Sequence, residues 1–201
     1  MGAPGKLGRE TRGGTPAEGR GARQATLGMC NDGPGTSMSS SLAFEPLAPD
    51  HAAVLFPVLG DARVWTHLEA SDGVSEAQMR LLYARRAAGS GRPGERWVNH
   101  AVRLEGGPYL GRIEATVHEG GWAEIAYVFG LAHRGRGHAR AAVRWLLAWL
   151  EVDEVWATVR PENDRSRRLL EALGFSEQPS SRPLASWSPG DLTYRWDRQG
   201  S

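Results

Sequence analysis

The chain has 201 residues, with 24 Lys+Arg against 23 Asp+Glu and 40% hydrophobic content, enough for one domain of ordinary size whose core needs no covalent staples. A net charge of +1 gives no general attraction to nucleic acid or acidic membranes, and no apolar run approaches the ~20 residues of a membrane helix. The single cysteine, Cys30, excludes an intramolecular disulfide and a cysteine metal cluster, as expected of a soluble cytoplasmic protein.

Residues 1–40 are dominated by Gly, Ala, Arg, Pro and Thr. Such a segment cannot bury enough apolar surface to offset its ordering entropy, so a disordered tail is expected there, with the folded domain over 41–198. From Leu42 onward, period-2 and period-3.6 patterns alternate. "LAFEPL" (42–47) reads as a strand, and "PDHAAVLFPVLGD" (49–61) as a helix with Pro57 inside it. In "SDGVSEAQMRLLYARRAAG", Ser75 and Gln78 form an S-x-x-Q capping box ahead of an apolar face of Met79, Leu82 and Tyr83.

"RWVNHAVRL" (96–104), "PYLGRIEATVH" (108–118) and "WAEIAYVFGL" (122–131) read as three strands separated by two "EGG" turns, an antiparallel meander. Val143, Leu146, Leu147 and Leu150 then mark one face of a helix, and "EVWATVR" (154–160) reads as a strand. Asn163 is placed to cap a further helix that ends near Gly174, and "GDLTYRWD" (190–197) closes the order as a strand. The expected class is mixed α/β (α+β), a sheet flanked by helices.

The segment "HRGRGHA" (133–139) stands where a strand gives way to a helix. Glycines there let the backbone turn tightly and leave the first helical N–H groups uncovered, a ready site for an anion. Arg134, Arg136 and His138 add positive character, so a phosphate-bearing ligand is the physical reading. The blander alternative is a glycine turn dressed with surface arginines. A dinucleotide fingerprint would need a third glycine where Arg140 stands, and no G-x-x-x-x-G-K-[ST] string occurs.

What remains is R-x-x-G-x-A, carried by Arg134, Gly137 and Ala139. A second block, N-x-x-S-x-x-L-L-E-x-L-G-F, is carried by Asn163, Ser166, Leu169, Leu170, Glu171, Leu173, Gly174 and Phe175. With both blocks in this order, the sequence resembles the GNAT superfamily of N-acetyltransferases over about residues 42–197. Its opening is similar to the branch that acetylates ribosomal-protein N-termini. The resemblance implies a mostly antiparallel twisted sheet of six to seven strands with about four helices, and a splayed strand pair at the cofactor site. It implies acetyl-CoA as cosubstrate, with the pyrophosphate held on backbone amides of Arg134, Gly135, Arg136, Gly137, His138 and Ala139. The pantetheine arm would run along Phe129 to Leu131, with Asn163 and Ser166 on the far side. It implies an amine acceptor as the other partner, no metal, no nucleic acid, no membrane, and a monomer or homodimer.

Two departures stand out. Leu131 takes the place of a proline common in the family. Leu170 takes the place of the tyrosine that protonates the leaving thiolate in many members, so Ser166 is the candidate stand-in. Glu124 is the first candidate base, on the expectation that its carboxylate faces the substrate cleft, and Glu114 is the second; a solvated strand carboxylate is the plain alternative for either. His118 and His133 are expected at the surface. Trp145 and Trp149 are expected to pack on the sheet, and Trp65 or Trp97 to wall the acceptor cleft. Three functions remain open: acetylation of a protein N-terminus or peptide, acetylation of a small amine such as an antibiotic or amino acid, and noncatalytic acyl-CoA binding.

Overall fold

A computed structural model describes residues 41–68 and 75–198. The segment expected to be a disordered tail lies outside the described residues. In chain order the elements are β1 (Leu42–Pro46), α1 (His51–Leu59), α2 (Glu76–Ala88), β2 (Glu95–Leu104), β3 (Tyr109–His118), β4 (Trp122–Phe129), α3 (His138–Trp149), β5 (Glu154–Val159), α4 (Asp164–Glu171), β6 (Ser176–Glu177) and β7 (Leu192–Asp197), with short 3-10 turns at Ala62–Trp65 and Leu131–His133. The strands form one seven-stranded sheet in the order β1-β2-β3-β4-β5-β7-β6. Among the described residues only the β4–β5 pair is parallel.

Local chemistry sets the element ends. The Ser75 hydroxyl accepts from the Gln78 N–H at 3.3 Å, the expected cap of α2. The Asn163 side chain accepts from the Ser166 N–H at 3.2 Å and starts α4. Pro57 sits inside α1, which begins at His51, two residues after Pro49. The strand expected over 122–131 stops at Phe129, because residues 131–133 curl into a 3-10 turn.

Alternation along the strands divides the core between two faces. Val102, Ile113, Ile125 and Phe129 pack with Val143, Leu146, Leu147 and Leu170 from α3 and α4. Ala101 and Val128 pack with Leu55, Leu59, Met79 and Tyr83 from α1 and α2. Trp145 stacks on Phe44 of β1 with ring centroids 3.7 Å apart, while Trp149 is 40% exposed. His118, expected at the surface, instead stacks on Trp122 at 3.8 Å, and its Nε2 is buried, since the flat ring covers the indole.

The arrangement that matters most for the site is at β4. Its β3 edge is paired over eight register positions, from Gly111↔Phe129 to His118↔Trp122. Its β5 edge is paired over three, Trp122↔Glu154 to Glu124↔Trp156. Beyond Glu124 the two strands part, and a fork opens in the middle of the sheet.

Candidate active site

The fork forms a cleft of about 1230 Å³. Ile125 to Phe129 line one side and Ala157 to Val159 the other. Residues 133–140 close its mouth, and Asn163, Ser166 and Leu169 of α4 form a wall. Among the described residues the backbone of β4 from Ile125 to Phe129 has no ladder partner on this side, so its polar groups face the cleft. Over that stretch the edge runs about 13 Å, the length of an extended ligand arm.

At the mouth, Gly135 and Gly137 hold left-handed backbone, with φ of +76° and +79°. Among the described residues no side chain caps α3, and the first helical bond runs from Ala141 N–H to the Gly137 carbonyl at 3.0 Å. The amides of the first helical turn are therefore directed outward. A Cβ built at either glycine would meet nothing within 4 Å; the space in front of these amides is kept open. Arg134, Arg136, Arg140, Arg165 and Arg168 line the same end. Arg134 also donates to the Val64 carbonyl at 3.3 Å. His138 and His133 have lowered pKa values, chiefly through burial and then through the positive charge of Arg136 and, for His133, His138. His133, expected at the surface, thus belongs to the cleft. Leu131, expected on the ligand's path, lies in the 3-10 turn and packs with the α1/α2 cluster: the chain has already curled away from the extended strand.

On the α4 side, the Tyr127 hydroxyl and Ser166 Oγ are 2.7 Å apart, bridging β4 to α4 across the fork. Protein packed around the phenol pushes its pKa up to about 12, with the Ser166 hydrogen bond acting weakly the other way. Leu170 is fully buried in the core and does not reach the cleft.

On the other face, Trp65, Arg86, Arg112 and Glu114 line the cleft. Glu114 pairs with Arg112 and lies 3.7 Å from Arg86 Nε. Trp65 is anchored by its indole N–H to the Leu59 carbonyl at 2.6 Å. Trp97 is turned to Glu95 at 2.7 Å and stays out of the cleft lining.

Glu124 is set differently from the sequence expectation. Its side chain is buried and accepts from the Ala185 N–H at 3.0 Å, the Ser186 N–H at 2.9 Å and the Ser186 hydroxyl. The strap between β6 and β7 lies over it, so the carboxylate faces that backbone rather than the open cleft. Sequence reasoning could not foresee the strap, whose residues carry no periodic pattern. Tyr127 was within reach, because strand alternation puts it on the same face as Ile125. Among the described residues no group of three or more His, Cys, Asp or Glu is gathered as a metal site, and no helix is long and apolar enough to cross a membrane.

The sheet, its fork and the glycine-opened helix start define a mixed α/β fold shared with solved structures, two acetyltransferases among them. A domain from Methanocaldococcus jannaschii DSM 2661 superposes with a TM-score of 0.62 at 16% identity, covering 80% of this chain and 100% of that one. The spermidine N-acetyltransferase of Vibrio cholerae, solved with CoA and spermine, gives 0.60 at 18% identity, covering 78% and 94%. An aminoglycoside acetyltransferase in complex with coenzyme A gives 0.61 at 19% identity, covering 79% and 95%. In sequence, residues 41–176 match the acetyltransferase (GNAT) domain family. The chain belongs to that family of N-acetyltransferases. A relative from Bacillus licheniformis, an uncharacterized N-acetyltransferase p20, is 39% identical over 64 residues, 30% of this chain and 36% of that protein.

Proposed function

We propose that this protein transfers the acetyl group of acetyl-CoA to a primary amine at a peptide or protein N-terminus. The observation that carries the reading is the open helix start of α3 leading directly onto the unpaired edge of β4. Phosphates fit the outward amides of residues 134–139, and an extended amide-bearing arm fits the free ladder groups of Ile125 to Phe129. Asn163 and Ser166 wall the arm, and Phe129 floors it. Backbone donors in the fork then lie beside the acetyl carbonyl, where developing negative charge needs them.

The acceptor enters from the face walled by Trp65, Arg86, Arg112 and Glu114. Among the described residues the carboxylate on this wall is ion-paired with arginine, which disfavours a polycationic amine and favours a peptide, as in the ribosomal-protein branch. An α-amino group with pKa ~7.7–8.0 is about one-tenth neutral at pH 7, so water is a sufficient proton acceptor. Glu124 enters this reading as the anchor of the strap that covers the acceptor side. Residues 1–40 enter it as a dispensable tail, and the low cysteine content agrees with a cytoplasmic setting.

The test is a panel assay of CoA release with short peptides, amino acids, spermidine and an aminoglycoside. Turnover of free peptide N-termini above the polyamine and aminoglycoside is expected. Preference for the cationic amines would move the acceptor to the small-amine class, and tight acetyl-CoA binding without turnover on any amine would make the chain a binding module.

A further inference from the structure

The mouth of the fork carries more positive charge than a pyrophosphate alone calls for. Arg134, Arg136 and Arg140 line it from the α3 side, and Arg160, Arg165 and Arg168 from the β5–α4 side, against the carboxylates of Glu162 and Asp164. Asp164 is taken up by Arg167 at 3.5 Å and Arg168 at 3.6 Å. Among the described residues Arg136, Arg140, Arg160 and Arg165 have no acidic side chain within ion-pair distance, and Arg165 is exposed.

The two sides of the mouth repel each other. The Arg134 guanidinium has a lowered pKa, through burial first and then through the positive charge of Arg165, and Asp61 offsets less than either. Asp61 is itself held by Arg63 at 2.6 Å. Arg134 is fixed in place by its bond to the Val64 carbonyl at 3.3 Å. Like charges gathered in this way cost stability unless an anion comes between them. In the reading above, the outward amides of residues 134–139 already serve the pyrophosphate. At the start of α4 the Ser166 N–H is taken by the Asn163 side chain, so what this helix offers an anion is the Arg165 side chain. A ligand that suits both sides of the mouth needs a second anionic group, set apart from the pyrophosphate.

We infer that Arg165, opposite Arg134, binds the 3′-phosphate on the ribose of CoA and makes the protein select the 3′-phosphorylated cosubstrate. The inference rests on the acetyl-CoA reading above and adds to it a determinant at the end of the ligand far from the acetyl group. A phosphomonoester carries a charge of about −1.5 to −2 near pH 7, and its oxygens match the planar fork of a guanidinium two at a time. One ribose joins it to the pyrophosphate, so it can stand on the α4 side while the pantetheine arm lies in the fork.

The test is calorimetry on the full chain, without need of an acceptor. CoA and dephospho-CoA, which lacks only the 3′-phosphate, are titrated into the wild type, Arg165→Gln and Arg165→Lys. A hydrogen bond between charged groups is worth about tenfold or more in affinity, so the wild type should prefer CoA by that factor. Arg165→Gln should lose most of the preference by weakening CoA alone, with dephospho-CoA affinity within about twofold and melting unchanged. Arg165→Lys, which keeps the charge without the fork, should keep part of the preference. Added salt should narrow the wild-type preference, because the side chain is exposed.

Equal wild-type affinity for CoA and dephospho-CoA would overturn the inference while leaving acetyl transfer standing. A preference that survives Arg165→Gln would overturn it by placing the phosphate on other arginines. Equal weakening of both ligands in that variant would do so by making Arg165 a pyrophosphate contact. Failure of the wild type to bind either ligand would bring down the acetyl-CoA reading as well.

Discussion

The two edges of β4 put the same backbone to opposite uses. Against β3 it is paired along its whole length, and Gly111 lets the strands approach so closely that a Cβ there would lie 2.1 Å from the Val128 carbonyl oxygen. Against β5 it is paired for three positions and then left open, and Gly137 at the end of that opening faces empty space. Glycine on the closed edge removes an obstacle to folding; glycine on the open edge leaves the first amides of α3 uncovered, which the proposed reading gives to a ligand. A strand can thus be structural on one side and functional on the other, provided that its side chains, which alternate between two cores, hold it in place.

Substitutions can separate the two roles. The largest effect is expected from Gly111→Ala, since a methyl group cannot share space with a carbonyl. Loss of about 3 kcal/mol, or about 10 °C in Tm, should appear in thermal unfolding, and an unchanged melting curve would show that β3 can move aside. Next comes Glu124→Gln. The amide cannot accept from every donor of Ala185 and Ser186, and a part-buried N–H left without its carboxylate acceptor costs about 2 kcal/mol. Tm should fall by about 6 °C and KM for the amine should rise while acetyl-CoA affinity holds. If instead Tm is unchanged and a fall in kcat is recovered at higher pH, the carboxylate is the proton acceptor.

Gly137→Val belongs to the open edge. Its Cβ meets no protein atom, but the left-handed backbone strains any branched residue by about 1–2 kcal/mol and the side chain intrudes on the amides. Calorimetry should give an acetyl-CoA Kd raised about tenfold or more, about 1.4 kcal/mol, with a modest change in Tm.

The last effect is absent at neutral pH and concerns the closed half away from the cleft. Burial among Trp145 and Trp149 lowers the His100 pKa from 6.5 to about 4. A histidine kept neutral by the fold resists the proton that the unfolded chain accepts, so stability is lost as pH falls from 6.5 toward 4 and is constant above that range. His100→Leu should flatten this slope, and equal pH dependence in the two proteins would exclude His100 as its source.

Much of this was legible in the chain itself, for physical reasons that differ by element. The β2–β3–β4 meander was plain because local "EGG" turns and alternating residues define it within 35 residues of sequence, from Glu95 to Phe129. The start of α3 and the Asn163 cap were plain because both depend on glycine and capping chemistry within one turn. The two-residue β6 was not, since so short a strand has no period. The partners of Glu124 were hidden for a related reason: they lie 61 and 62 residues downstream in a strap without pattern. Leu131 was read as strand because an apolar run continues through it, whereas the chain turns on the Gly130 carbonyl, to which the His133 N–H bonds at 3.0 Å.

The open edge of β4 has a further consequence, for evolution and for self-association. Unpaired strand edges at the rim of a sheet invite other chains to pair with them. This one lies inside the sheet, flanked by β5, so a strand from another chain could not extend the sheet outward from it. The protein can therefore keep a row of free peptide groups without becoming sticky. Because those groups belong to the main chain, they survive replacement of nearly every side chain around them. On the proposed reading, lineages carrying such a fork can drift far apart in sequence while this backbone edge endures, and new acceptors can be tried on the opposite wall at little risk to it.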